Sequence, residues 1–221
     1  MNQPVCHYED ESLLVLEKPA GLLCVPGRGP DKQDCLSLRA QQRWPDALIV
    51  HRLDQATSGL LIMARSLAVQ RQLSQAFADR LVHKRYIAVV AGRLQESPES
   101  ADDQGWQRID LPIAADWERR PLRVIDHENG KSSQTLWRVL AHQSGPAGQA
   151  CTRVLLSPLT GRTHQLRLHM AALGHAMLGD ALYASEALAR STPRLLLHAA
   201  ALEFAHPVSG RPLKLESAPD F

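Results

Sequence analysis

The chain has 221 residues, 44% of them hydrophobic and 22% charged, with a formal net charge of +2. That length can bury a substantial core, and the composition is that of a globular protein in water. No run approaches the roughly 18 apolar residues that span a bilayer, and the opening MNQPVCHYEDES lacks the basic-then-apolar order of a secretion signal. A cytoplasmic protein with no membrane segment is expected. Its four cysteines, Cys6, Cys24, Cys35 and Cys151, form no CxxC pair and match no zinc spacing, so they are expected to be reduced and structural, with no metal site.

The elements are read in chain order from hydrophobic period and turn residues. Residues 13–17 (LLVLE) form a first strand, and PGRGP at 26–30 a loop. A short helix is expected over 35–44, stopped by Pro45. Residues 60–64 (LLIMA) form a strand. Val69, Leu73, Ala76, Phe77 and Leu81 then recur at helical spacing behind Ser66, a good N-cap. Strands follow at 86–91 and 152–156. The acidic stretch 95–105 (QESPESADDQG) and the segment 143–149 (QSGPAGQ) are loops. A further helix runs from about Thr163 to Leu173 and ends at Gly174, and a last strand covers 212–216. Strands outnumber helices without regular alternation, which predicts an α+β fold with a mainly antiparallel mixed sheet and flanking helices and loops. No segment looks like a long linker, so residues 1–221 are expected to be one compact domain.

Charge is distributed unevenly. Residues 51–93 carry seven basic and two acidic side chains, residues 119–170 carry eight and two, and residues 94–118 between them carry one and seven. If the basic blocks meet in space they make a phosphate-holding surface; otherwise they are ordinary solvated charge.

The most informative segment is Val50–Leu60, VHRLDQATSGL. It sets His51, Arg52, Asp54 and Thr57 between apolar strands, a common placement for reactive groups. Read alone, the carboxylate is either a reactive group or one half of a structural ion pair. The segment resembles the HRLDxxTSG signature of the RluA-type pseudouridine synthases. Lys84-Arg85-Tyr86, opening a strand, resembles that family's second motif, and Thr160–His169, TGRTHQLRLH, its third. ALGHAMLGD at 172–180, Tyr183 and LLLHA at 195–199 resemble later family segments. The similarity runs from Glu11 to Phe221.

The resemblance implies the pseudouridine synthase catalytic fold, Asp54 as the essential carboxylate, Tyr86 as the residue stacking on the target uracil, and Arg162 as the basic partner of the aspartate. It implies that Arg52 fills the space left by a flipped base. His51, Thr57, Lys84, Arg85, Arg167 and His169 are candidate RNA contacts. Arg167 and His169 have an equally open reading as residues satisfying local hydrogen bonds. Lys84, Arg85, Arg119, Arg120 and Arg123 are either phosphate contacts or plain surface charge. Thr163 is a candidate helix cap, and the four tryptophans are expected to pack. The two histidines of HQLRLH are five apart and lack the glutamate of a zinc helix. The implied chemistry requires no cofactor.

Family members often carry an N-terminal RNA-binding domain. Here the similarity begins about ten residues in, so a bare catalytic domain is expected. DLPIAADWERRP near Asp110–Arg120 and the C-terminal APDF resemble the subgroup that modifies both a tRNA anticodon loop and a 23S rRNA loop. A monomer with RNA as its partner, and no obligate protein partner, is expected. A non-catalytic RNA-binding module would not need Asp54, Tyr86 and Arg162 together. A glycosidic hydrolase would show a second carboxylate in a motif of its own.

Overall fold

The computed structural model describes residues 3–221. In chain order the elements are β1 Val5–Glu9, β2 Leu13–Lys18, α1 Leu36–Gln41, β3 Leu48–Ile49, β4 Ser58–Ala64, α2 Leu67–Ala78, β5 His83–Ala91, β6 Gln107–Asp110, β7 Ile113–Ala115, β8 Arg123–Ile125, β9 Gln134–Ser144, β10 Ala150–Pro158, α3 Gln165–Ala172, α4 Glu186–Ala189, β11 Leu197–Ala205 and β12 Pro212–Glu216. Short 3-10 turns lie at Pro30–Lys32 and Pro98–Ser100. The class is α+β, with mainly antiparallel pairing and one parallel contact. The chain divides into two compact units, residues 1–84 with 198–221, and residues 85–197.

In the first unit β4 is the central strand. All seven of its residues are buried, and from Leu60 to Ala64 it is a continuous apolar run, as expected of a strand covered on both faces. One edge of β4 takes β2 antiparallel along Gly59–Ala64. The other takes β3 antiparallel at Met63–Ala64 and β11 parallel at Ser58–Gly59. Helix α2 packs Val69 and Leu73 onto Leu13, Val15, Leu60 and Ile62, each such burial contributing about 1.5–3 kcal/mol. Ser66 caps α2 by accepting the Val69 N–H at 3.3 Å. The helix is shorter than its period suggests. Arg80 turns left-handed at φ 62, the Leu81 N–H reaches back to the Ala76 carbonyl, and Leu81 is left exposed, outside the apolar face.

In the second unit β5, β10, β9 and β6 pair antiparallel in that order, and β7 and β8 form a separate hairpin. The long β9–β10 hairpin turns through residues 145–149. Helix α3 begins one residue later than Thr163 would cap it. His164 holds the N-cap position at φ 58, with no side-chain cap. Trp44, Trp106 and Trp137 are buried as expected, but Trp117 is 71% exposed, with the Arg120 guanidinium 3.9 Å above its ring. Among the described residues, no helix is long and apolar enough to cross a membrane.

Gly59 is the position in the sheet least tolerant of a side chain. Its φ is +110, and a Cβ there would lie 2.6 Å from the Ala199 nitrogen. Gly59→Ala is expected to cost about 3 kcal/mol or more, from combined backbone strain and overlap. Denaturant unfolding checks this; a loss under about 1 kcal/mol would mean that the β4–β11 spacing relaxes at little cost.

Candidate active site

Asp54 lies in the loop between β3 and β4, and the loop is held mainly through its backbone. The Leu53 carbonyl accepts from the Cys24 thiol at 3.2 Å, and the Leu53 N–H donates to the same sulfur at 3.3 Å. The Gln55 carbonyl accepts from the Gly21 N–H at 2.8 Å and from Lys18 Nζ at 3.0 Å. The Gln55 side-chain amide donates back to the Gly21 carbonyl. The Thr57 N–H closes a turn onto the Asp54 carbonyl at 3.1 Å. Burial raises the Cys24 thiol pKa. The nearby Lys18 and Arg52 charges oppose that rise, and the Asp54 charge adds to it.

Lys18 was not singled out from sequence, although a lysine ending the apolar run LLVLE is itself an anomaly. It is fully buried. Its ammonium donates to the carbonyls of Pro19, Leu22 and Gln55 at 2.8, 2.8 and 3.0 Å. A buried charge is tolerated only when so satisfied, and this one joins the 19–22 turn to the Asp54 loop.

Two residues of the same segment, read as candidate RNA contacts, are engaged inside the protein, His51 while partly exposed. His51 Nε2 accepts the Ile62 N–H at 3.0 Å, and its ring lies 4.4 Å from that of Phe77. Thr57 is buried at 3% exposure. Arg52 is exposed, as an RNA contact requires. Lys84, at the start of β5, lies 5.8 Å from the Phe77 ring centroid, and burial lowers its pKa.

In the second unit Arg85 is exposed and Tyr86 is partly exposed on β5. Arg162 is exposed, with Nε and Nη2 3.3 and 3.4 Å from the Ser132 carbonyl. The turn before α3 is organised by buried Gln165. Its Oε1 accepts from Thr160 Oγ1 and the Arg162 N–H, and its Nε2 donates to the Gln134 carbonyl and Thr135 Oγ1.

Arg167 and His169 are both buried and hydrogen-bonded within the protein, the second of the two readings that the sequence left open. Arg167 is 4% exposed and donates bidentately to Asp180 at 2.8 and 2.5 Å. His169 is fully buried, bonded to Thr135 Oγ1 at 2.9 Å and the Leu111 carbonyl at 3.0 Å. The sequence placed both beside a catalytic motif. It could not show that the helix turns these side chains inward, or that Asp180 waits 13 residues on.

The single-aspartate loop, the strand-borne tyrosine and the TGRTHQLR turn, on a mainly antiparallel mixed sheet, define an RNA pseudouridine synthase. Residues 12–172 match the RNA pseudouridylate synthase family, and the chain belongs to it. Over 214 residues it is 43% identical to the dual-specificity RNA pseudouridine synthase RluA of Yersinia pestis, covering 97% of this chain and 98% of that protein. It is 42% identical to the Escherichia coli (strain K12) RluA, with 97% and 92% covered. The solved structure of human RNA pseudouridylate synthase domain containing 1 superimposes with a TM-score of 0.81 at 31% identity, covering 99% of this chain and 84% of that one.

Two outcomes test the scaffold assignments. Arg167→Met leaves Asp180 buried without its cation and is expected to cost about 3–5 kcal/mol, while the salt dependence of RNA affinity stays at the wild-type slope. A slope smaller by about one would return Arg167 to the phosphate contacts. His51 is held neutral chiefly by burial, helped by the Lys84 charge, with its pKa lowered from 6.5 to about 3. As pH falls below 6.5 the unfolded chain takes up a proton that the folded chain refuses. The full contribution is therefore present above about pH 6.5 and is lost toward pH 3, by up to about 1.4 kcal/mol per pH unit. His51→Gln, which keeps an acceptor for Ile62, is expected to lose this slope; parallel stability–pH curves for the two proteins would contradict it.

Proposed function

We propose that the enzyme converts uridine to pseudouridine in both a tRNA anticodon loop and a loop of 23S ribosomal RNA, with Asp54 as its catalytic carboxylate. The observation that carries the double substrate is near-full-length similarity to relatives named dual-specificity synthases, at 42–43% identity. The segment around Asp110–Arg120 adds to that likeness.

The reaction breaks the bond from uracil N1 to ribose C1′ and forms one from C5 to C1′. The hydrogen of C5 leaves as a proton and N1 gains one, so the change is an isomerisation that consumes no co-substrate. It needs an anionic group at C1′ and C2′ and a surface that retains the detached base. Asp54 supplies the anion, by attack on the sugar or by removal of the C2′ proton. Tyr86 offers a flat apolar face with a polar tip on which uracil can stack. Arg162 supplies the basic group of the pair. A base within paired or stacked RNA must be flipped out to be reached, and exposed Arg52 offsets part of that cost by entering the gap. Arg85 and Lys84 are the remaining candidates for RNA contact. Recognition rests on loop shape and splayed bases more than on a long duplex. The chain is proposed to act in the cytoplasm as a monomer and a single catalytic domain, without a cofactor or an obligate protein partner.

The test maps pseudouridine by carbodiimide adducts that block reverse transcription. Unmodified tRNA and 23S RNA are incubated with wild-type protein and with Asp54→Asn. New stops in both RNAs that vanish in the variant, with RNA affinity retained, are expected. Stops in one RNA alone would sink the double specificity, and stops that persist in Asp54→Asn would remove Asp54 from the chemistry.

A further inference from the structure

A line of hydrogen bonds crosses the first unit and ends where the Asp54 loop re-enters the sheet. His198 is 2% exposed, on β11. Its Nδ1 lies 2.9 Å from Ser58 Oγ, and its Nε2 lies 3.1 Å from Ser217 Oγ. Ser217 Oγ donates to Glu17 Oε2 at 2.7 Å, the oxygen that also meets His7 Nε2 at 2.6 Å. The backbone pins both ends. Ser58 and His198 are register partners, and the Ser217 N–H donates to the Ala200 carbonyl at 2.8 Å.

The direction of this line follows from one group. An ionised carboxylate only accepts, so Ser217 spends its proton on Glu17. Its oxygen is then left to accept from His198, and Nε2 must carry the hydrogen. In the neutral ring Nδ1 then offers its lone pair, and Ser58 donates to it. Ser58 directly follows Thr57, whose N–H closes the turn on Asp54. No side chain at Gly59 can brace this point, because the Ala199 backbone fills the space.

We propose that His198 is a positioning residue for pseudouridine formation. Held as the neutral Nε2–H tautomer by Glu17 through Ser217, it fixes Ser58 and with it the outgoing end of the Asp54 loop. The proposal rests on Asp54 being the catalytic carboxylate. A displacement of that carboxylate by about 1 Å is enough to cost roughly 100-fold in rate.

The experiment compares single-turnover rates at saturating RNA, RNA affinity and melting temperature for Ser58→Ala, His198→Gln, His198→Asn and Asp54→Asn. Glutamine reaches the Nε2 position and keeps Ser217 but not Ser58. Asparagine reaches the Nδ1 position and keeps Ser58. Ser58→Ala and His198→Gln are expected to slow the chemical step about 10- to 100-fold with RNA affinity unchanged. Their double variant should be no slower than either alone, and His198→Asn should restore most of the rate. A merely structural role would lower the melting temperature and leave the rate of the folded enzyme at wild type; that result, or an asparagine variant as slow as the glutamine one, overturns the proposal. The imidazole nitrogen NMR signals of the wild-type protein decide it independently of any variant's folding: Nε2–H is expected, and Nδ1–H refutes it. If Asp54→Asn turns over, the Asp54 assignment fails; if Asp54→Asn is dead while Ser58→Ala is normal, the positioning role fails.

Discussion

The approach of β4 to β11 at Gly59 and Ala199 is the constraint on which the surroundings of Asp54 depend. A strand pair that meets in parallel over only two residues has few ladder bonds to define it. The closeness of the two backbones supplies the definition instead. Gly59 allows that closeness because it has no Cβ and tolerates a positive φ. Once the exit is fixed there, β4 continues into its antiparallel pairing with β2 and the apolar face that α2 covers. The Asp54 loop thus leaves from β3 and returns to a point that resists sliding, since a slip by one residue would exchange Leu60, Ile62 and Ala64 with Leu61 and Met63 between two packed faces.

Several polar residues in the family motifs are bonded within the protein itself. Gln165, Arg167 and His169 all point inward from α3, and each is bonded to β9, to Leu111 or to Asp180. Asp180 does more than neutralise Arg167, for it also accepts the Leu182 and Tyr183 N–H groups. That places Tyr183, whose hydroxyl oxygen accepts the Arg123 N–H of β8 and is hydrogen-bonded to His164. A buried ion pair costs desolvation that its attraction barely offsets. Its effect here is to set the path of the chain through residues 180–183, by way of the two N–H groups that Asp180 accepts.

The fold was legible where period and burial agree. The strands at 13–17, 60–64 and 212–216 and the capped α2 were visible because each presents a clear face or a clear stop. The two longest omissions have physical reasons. β9 spends its second half exposed, and its sequence QTLWRVLAHQS alternates too weakly to mark a core side. β11, LHAAALEFA, is rich in alanine, which favours helix over strand; its neighbours, not its own residues, make it extended. Of the site, the residues proposed to do the chemistry were singled out because a motif names them. Lys18, Cys24, His198 and Ser217 were not, because what they do depends on partners remote in sequence. A lysine that fills three carbonyls looks, in a string of letters, like any other lysine.

The bonds that hold the Asp54 loop fall on the backbone at Leu53, Asp54, Gln55 and Thr57, from Cys24, Lys18, Gly21 and within the loop itself. A loop held by its backbone at these points has a defined path on either side of Asp54. On the proposed role of Asp54, a loop path fixed before substrate arrives lowers the reorganisation needed when charge shifts at the ribose. The same arrangement explains why scaffold and chemistry are interleaved within one short motif. His51, Thr57, Ser58 and Gly59 shape the path, and the path presents Arg52 and Asp54.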